Sequence, residues 1–363
     1  MLINGERAMA YVVKIDDVQP IEGADRIDLY KVGGWTLVGK KGEMNKGDLA
    51  CYIEIDSWVP HTIAPFLTQD GHFPKVYNEV EGQRLKTKRM KGIYSQGLLL
   101  SIHYLNDIVD LIPYEPLREG TDLTNILGIQ KWELPISAEL RGVVKGDFPS
   151  FIPKTDQERV QNLTRVLPNY YGESFEITEK LHGTSSTFYL NNIDDEIVFG
   201  VCSRNRELKE AETNTYWKVA RESNIEIILR KFQIISGKFY ALQGEIVGEG
   251  INGNMYNLKG QHFKLFDIYD ITEQRYLTPY ERFCMWGIAN IGNETDNHIP
   301  ILNAIFILDE THTAEKLLQM VEHKSTLNNK VWVEGWVLKC HDVDFSFKVV
   351  SNKFLTSKQG EDA

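Results

Sequence analysis

Residues 178 to 185, Thr178-Glu179-Lys180-Leu181-His182-Gly183-Thr184-Ser185, set a lysine three positions before a glycine. A lysine followed closely by a turn glycine can emerge at a loop and aim its amine into a pocket. To attack phosphorus that amine must be neutral. With a reference pKa of ~10.4, holding it neutral at pH 7 costs about 4.6 kcal/mol. Neighbouring positive charges lower the pKa by destabilising the ammonium form, and Lys339 and Lys348 are the candidates in this chain. The same charges would stabilise the attacked phosphate and its leaving group. Taken alone, Lys180 reads as a surface turn residue.

Its chemistry rests on five segments that follow in order. These are Ser203-Arg204-Asn205, Gly244-Glu245-Ile246-Val247-Gly248 and Lys264-Leu265-Phe266-Asp267-Ile268-Tyr269, then Glu334-Gly335-Trp336-Val337-Leu338-Lys339 and Phe347-Lys348-Val349-Val350-Ser351-Asn352-Lys353. Together with the lysine segment they resemble the ordered motifs of the covalent nucleotidyltransferase superfamily of DNA ligases, RNA ligases and mRNA capping enzymes. Lys-x-His-Gly-Thr resembles the RNA ligase 2 branch, since DNA ligases and capping enzymes typically carry Asp at the His182 position. A β-rich region precedes the motifs rather than following them, as in the Deinococcus-type RNA ligases, which have an N-terminal OB-fold. Two places depart from the pattern or match it only briefly. The common closing Lys-x-Lys is Lys348-Val349-Val350 here, with Lys353 as a candidate for the missing charge. Gln243-Gly244-Glu245 is a short match whose register rests on Gly248-Glu249-Gly250-Ile251.

The resemblance implies an ATP-dependent RNA ligase, joining a 5′-phosphate RNA end to a 3′-hydroxyl end in RNA repair. Lys180 would attack the α-phosphate of ATP to form lysyl-AMP, AMP would pass to the RNA 5′-phosphate, and the 3′-hydroxyl would displace it. Lys339 and Lys348 would bind phosphate. Glu179, His182, Gly183, Arg204, Glu245, Phe266 and Glu334 would surround the nucleotide, with Phe266 stacked on adenine and Arg204 at the ribose or a phosphate. Glu245 and Glu334 would serve Mg²⁺, with Mn²⁺ as an alternative, because hard oxygen ligands suit such ions. RNA/DNA hybrid junctions are an alternative substrate. Two other readings compete: a capping-type or DNA-sealing nucleotidyltransferase, and a non-catalytic RNA-binding protein on a ligase scaffold.

The elements that must position these residues fall into two regions, giving an α+β fold. Residues 1–105 read as a small OB-like β-barrel that binds nucleic acid. Short β-rich runs at Ala10–Ile15, Trp35–Val38 and Leu49–Ile55 are separated by the turn signals Gly33-Gly34, Gly42 and Asn45-Lys46-Gly47-Asp48. Residues 106–150, punctuated by Pro113, Pro116, Pro135 and Pro149, read as a connecting segment. Residues 151–363 read as the adenylyltransferase domain, mixed α/β with mainly antiparallel sheets. There, Thr155-Asp156-Gln157-Glu158 has the form of a capping box, with Val160, Leu163 and Val166 on the inner face and Pro168 as the stop. A second helix is expected from Tyr216 to Phe232, with Val219, Ala220, Ile225, Ile228, Leu229 and Phe232 inward, and a third after Thr313 through Leu317, Leu318 and Val321. Strands are expected at 186–190, 197–203, 239–245, 263–269, 333–339 and 345–350.

Composition sets the outer limits. The 363 residues suit two domains, and 42% hydrophobic with 25% charged is the balance of a soluble globular protein. No apolar run approaches a membrane span and the start lacks a secretory signal, so a cytoplasmic monomer is expected. Cys51, Cys202, Cys284 and Cys340 are scattered, which supports neither a disulfide framework nor a zinc site. The net charge of −11 runs against nucleic-acid binding, but Arg84, Lys86, Lys88, Arg89 and Lys91 form one sharply basic stretch with no acid among them. Interleaved with Leu85, Thr87 and Met90, they suit a strand that turns its cations toward phosphate.

Overall fold

Residues Ile27–Val32 alternate partly and fully buried side chains in the computed structural model, as a strand with one face on a core must. The structure describes residues 2–3, 6–69, 71–109, 117–133, 142–289 and 297–361. Neighbouring strands continue that pairing around a ring. Ile27–Val32 pairs with Asp17–Pro20 and with Trp35–Lys40, all antiparallel. The Gln96 amide donates to Thr36 O at 2.8 Å, which links Trp35–Lys40 to the start of Leu98–Ser101. That strand pairs with Leu49–Ile53, which pairs with Ala10–Lys14, whose chain runs on into Asp17–Pro20. The ring is the small β-barrel expected. Ala10–Lys14 is buried on both sides: Tyr11 and Val13 pack with Tyr30, Leu37 and Tyr52, while Val12 packs with Ile53, Leu105 and Leu123.

Two compact units emerge, Met1–Leu134 with Glu158–Leu167, and Pro135–Gln157 with Pro168–Ala363. The segment 106–150 is therefore divided. Leu123 donates its amide to Ala10 O and Gln130–Lys131 pairs with Ser57–Pro60 in the first unit. Val144–Asp147 pairs with Arg206–Leu208 in the second. Pro113, Pro116 and Pro135 lie outside the described residues.

The helix expected from Thr155 does not form. Residues 153–157 have no regular structure, Glu158–Arg159 is extended and Val160–Asn162 makes one 3-10 turn. The Glu158 carboxylate accepts from the Arg159 amide at 3.0 Å and from Asn162 Nδ2 at 2.8 Å, so it does not close a capping box. The single helix expected over 216–232 is two, Thr215–Glu222 and Ile225–Ser236, because Asn224 takes a left-handed conformation at φ 54°. All six of its expected inward residues are buried. The helix expected after Thr313 forms over Ala314–Met320, capped by Thr313, which accepts from the Lys316 amide, and it ends one residue before Val321.

The second unit is built on two antiparallel sheets. One runs Val144–Asp147, Arg206–Leu208, Glu196–Ser203, Thr184–Ile193, Tyr240–Gly248, Gln261–Asp270, Arg275–Tyr276. The helices at 215–222, 225–236 and 279–289 pack on it through Val219, Ile228, Phe232 and Trp286. The other sheet runs Ser346–Val350, Gly335–Cys340, Ser174–Lys180, Ile301–Ile307. Among the described residues no helix is long and apolar enough to cross a membrane.

Candidate active site

Lys180 is the last residue of an interior strand of one sheet, and Thr184 is the first residue of the other sheet's Thr184–Ile193 strand. Leu181, His182 and Gly183 are thus the crossover between the sheets, and the lysine stands at the seam. Leu181 anchors the crossover among Val247, Tyr256 and Phe354. The His182 amide donates to Tyr256 Oη at 2.7 Å, and Asn252 Nδ2 donates to Gly183 O at 2.6 Å. Gly183 is required by close approach: a Cβ there would lie 2.3 Å from Ile246 O and 2.8 Å from Glu245 Cγ. The sequence placed Lys180 and Gly183 in this turn but gave no sign of Tyr256 or Asn252.

Two carboxylates face the crossover in opposite electrostatic states. Glu334 immediately precedes Gly335, the residue paired with Lys180 across the strands. One of its oxygens pairs with Lys180 Nζ and the other lies 3.4 Å from His182 Nδ1. Burial works to raise its pKa, but the Lys180 ammonium and the His182 ring overcome that and hold it down to about 2. Glu245, on Tyr240–Gly248, accepts from the Gly183 amide at 3.1 Å. Burial pushes its pKa up to about 7, reinforced by the Glu334 charge and opposed by Lys180.

Phe266 and Lys339 meet on the next layer. The Lys339 ammonium pairs with Asp267, donates to Phe266 O at 3.1 Å and lies 5.7 Å from the Phe266 ring centre. Asp267 is itself 3.9 Å from Arg282, a fully buried arginine that donates to Glu176 at 2.5 Å and to His298 Nε2 at 3.3 Å. Two cations and two anions are thereby buried together, the condition under which buried charge is tolerated. Burial, with Arg282 close by, lowers the Lys339 pKa against the pull of Asp267. Arg282 and Glu176 were not singled out in the sequence, since a lone arginine within a helix carries no pattern.

The remaining candidates are more dispersed. Lys348 donates to Asp156 at 2.9 Å, which explains an aspartate first read as part of a helix cap. Val350, where Lys-x-Lys would place its second cation, is buried. Lys353, the candidate for that charge, is instead engaged over Trp332 and beside Glu322. Arg204 is exposed at the end of Glu196–Ser203. Glu179, expected near the nucleotide, is fully buried; its carboxylate accepts from Ser325 Oγ, the Thr326 amide and Thr326 Oγ1 at 2.5, 2.9 and 2.5 Å, which leaves no exposed surface for a nucleotide. In the first unit, Arg84 ends the Val80–Arg84 strand, pairs with Asp56 at 2.7 Å and stacks 3.6 Å from the Trp132 ring centre. Lys86 is half-buried; Lys88, Arg89 and Lys91 are exposed on the hairpin of Lys88–Met90 and Ile93–Ser95. The basic stretch is thus a strand end and a hairpin, not one strand.

Among the described residues no group of three or more His, Cys, Asp or Glu could hold a metal by itself. Two carboxylates near a lysine instead suit a hard divalent cation that completes its shell with substrate phosphate and water.

The RNA ligase family model matches residues 173–350, and an OB-fold domain matches residues 9–102. No curated protein matches the chain. Among solved structures, a glutamate-to-alanine mutant of Naegleria gruberi RNA ligase with AMP and Mn is 42% identical, covering 97% of this chain and 100% of that one at a TM-score of 0.85. The Naegleria gruberi RNA ligase with PPi is 42% identical over 99% and 100% of the two chains, with a TM-score of 0.84. A lysine-to-alanine mutant of the same enzyme with ATP and Mn is 42% identical over 97% and 99%, again at 0.84.

Proposed function

Given that this chain belongs to the RNA ligase family, we propose that it joins a 5′-phosphate RNA end to a 3′-hydroxyl end through AMP carried on Lys180. The chain is an ATP-dependent RNA ligase. The observation that carries the proposed route is the position of Lys180 at the sheet crossover, held by Glu334 and flanked by Glu245. The similar Naegleria gruberi RNA ligase has been solved with ATP and Mn, with AMP and Mn, and with PPi, which supports nucleotide chemistry in this chain.

In the first step Lys180 Nζ, having lost one proton, forms a bond to the α-phosphorus of ATP as the bond to pyrophosphate breaks. Lys339 and Lys348 hold phosphate charge as it develops. Phe266 supplies a planar face for adenine and Arg204 meets the ribose or a phosphate. In the second step an oxygen of the RNA 5′-phosphate takes the AMP, breaking the phosphorus–nitrogen bond. In the third, the 3′-hydroxyl attacks that activated phosphorus and AMP leaves. Glu245 and Glu334 would hold Mg²⁺ or Mn²⁺, which supplies charge neutralisation at phosphate when bound. That one chain carries every residue of this route supports action as a monomer. The absence of any disulfide among four free cysteines supports a reducing, cytoplasmic setting.

The test is joining of a 5′-phosphorylated, 3′-hydroxyl RNA with ATP and a divalent metal. The expected product is longer and its labelled phosphate becomes resistant to phosphatase. Joining that proceeds equally without a 5′-phosphate contradicts the proposed route.

A further inference from the structure

Residues 324–332 form a short loop whose ends are tied by a bridge between Lys324 and Trp332. One internal bond and two outside partners hold the loop. The Ser325 amide donates to Val331 O at 3.1 Å, Asn328 Nδ2 donates to Met255 O at 2.8 Å, and the buried Glu179 carboxylate takes the hydroxyls of Ser325 and Thr326. Lys324 of this loop and Lys353 of the short helix Asn352–Leu355 bring two ammonium groups to one indole. Lys324 Nζ lies 3.8 Å and Lys353 Nζ 4.4 Å from the Trp332 ring centre. Lys324 is exposed, and the Lys353 side chain keeps 42% of its surface open. Glu322, 3.9 Å from Lys353, offers one carboxylate against two cations.

Each ammonium is drawn to the negative face of the indole, so the tryptophan holds together two like charges that otherwise repel. A pair of exposed ammonium groups, one on a braced loop and one on a helix beside it, matches a phosphodiester, whose charge relieves that repulsion and releases counterions. The surface is also continuous with the reaction centre. Trp332 packs on the cluster that contains Leu181 and Phe354, and the Phe354 ring sits 5.1 Å from His182. Lys180 pairs with Glu334, whereas Lys353 lies beside Glu322 and Lys324 donates to Lys330 O.

We propose that Lys324, Trp332 and Lys353 hold a backbone phosphate of the RNA strand, and that Glu179 acts as a positioning residue for the loop that carries Lys324 and Trp332. This rests on the RNA ligase reading. The assignment gives Glu179 a task on the far side of the strand from its neighbour Lys180: one residue carries the nucleotide and the next braces the contact for the RNA.

The experiment uses the full chain with the double change Lys324→Ser and Lys353→Ser, and Trp332→Phe as a second variant that keeps a ring. Binding of a 5′-phosphorylated single-stranded RNA is followed by fluorescence anisotropy from low to moderate salt, beside the rate of self-adenylylation. The double variant is expected to bind RNA several-fold more weakly at low salt, with a slope of log affinity against log salt shallower by about 0.7 for one lost phosphate contact. Self-adenylylation should stay within about twofold, since the nucleotide step does not use these lysines. Trp332→Phe should fall between wild type and the double variant. Unchanged affinity and slope would overturn the proposal, as would a parallel loss of self-adenylylation, which would assign the loop to the nucleotide step or to the fold. A wild-type protein that neither takes up AMP nor binds RNA would instead defeat the ligase reading beneath it.

Discussion

Glu245 and Glu334 approach the same lysine, yet burial dominates one and ion pairing the other. The sign of each effect on stability follows. Glu245 has a folded pKa of about 7 against an ordinary value near 4.5, so the folded state resists its ionisation. Its effect is absent below the unfolded value and grows into a penalty as pH rises toward 7. Glu245→Gln in metal-free protein should therefore match wild type in urea denaturation at pH 4.5 and be the more stable of the two at pH 8, while losing adenylylation. Equal stabilities at pH 8 would show that the carboxylate is not desolvated. Glu334 carries the opposite sign: with its pKa held at about 2, its stabilisation is present above pH 4.5 and disappears as pH falls through 2. At this scale the sequence was readable where chemistry demands a residue type, as at Lys180, Glu334 and Glu245. It misled at Glu179, because adjacency in a motif does not tell which face of a strand a side chain takes. Arg282 and Tyr256 were silent, since their work is done across distances no local pattern records.

The crossover from Lys180 to Thr184 shows the same limits at the level of elements. The strand that delivers the lysine, Ser174–Lys180, buries Glu176 and Glu179 beside Phe175 and Ile177, which erases the polar–apolar alternation that would announce it. Its edge partner Ile301–Ile307 keeps Ile301, Ile305 and Ile307 exposed, so its apolar content points to no core. By contrast, the inward faces of the helices at 215–222 and 225–236 were legible, and only their break at Asn224 was not. Gly183 makes the crossover possible by letting it lie on Ile246 and Glu245. Gly183→Ala must move either that backbone or the Glu245 side chain, at a cost of about 1–3 kcal/mol typical of overpacking. The expected result is a melting temperature lowered by several degrees and adenylylation reduced at least tenfold, read by calorimetry and single-turnover labelling. Normal stability with normal labelling would show that the crossover is looser than its contacts indicate.

For the whole molecule, the net charge of −11 and the binding of a polyanion are reconciled by local clustering. Lys88, Arg89 and Lys91 are exposed on the first unit's hairpin, and Lys324 and Lys353 stand on the second unit. Arg84 belongs to neither cluster in the same sense, because it is committed to Asp56 and Trp132. Replacing Lys88, Arg89 and Lys91 by serine should weaken end-joining several-fold in a salt-dependent way and leave self-adenylylation intact. Loss of both activities would mark the hairpin as structural. The arrangement of a β-barrel before a mixed, mainly antiparallel unit was legible from turn spacing and motif order. The return of Glu158–Leu167 to the first unit was not, because a Thr-x-x-Glu spacing mimics a helix start.

The central claim is that Lys180 becomes the carrier of AMP. It is tested most directly by incubating wild type and Lys180→Ala with ATP labelled at the α-phosphate and a divalent metal, then separating the proteins under denaturing conditions. The account predicts a label that survives denaturation in wild type, is discharged by pyrophosphate, and is absent from Lys180→Ala. A label retained by the variant, or none in wild type with either Mg²⁺ or Mn²⁺, would contradict it.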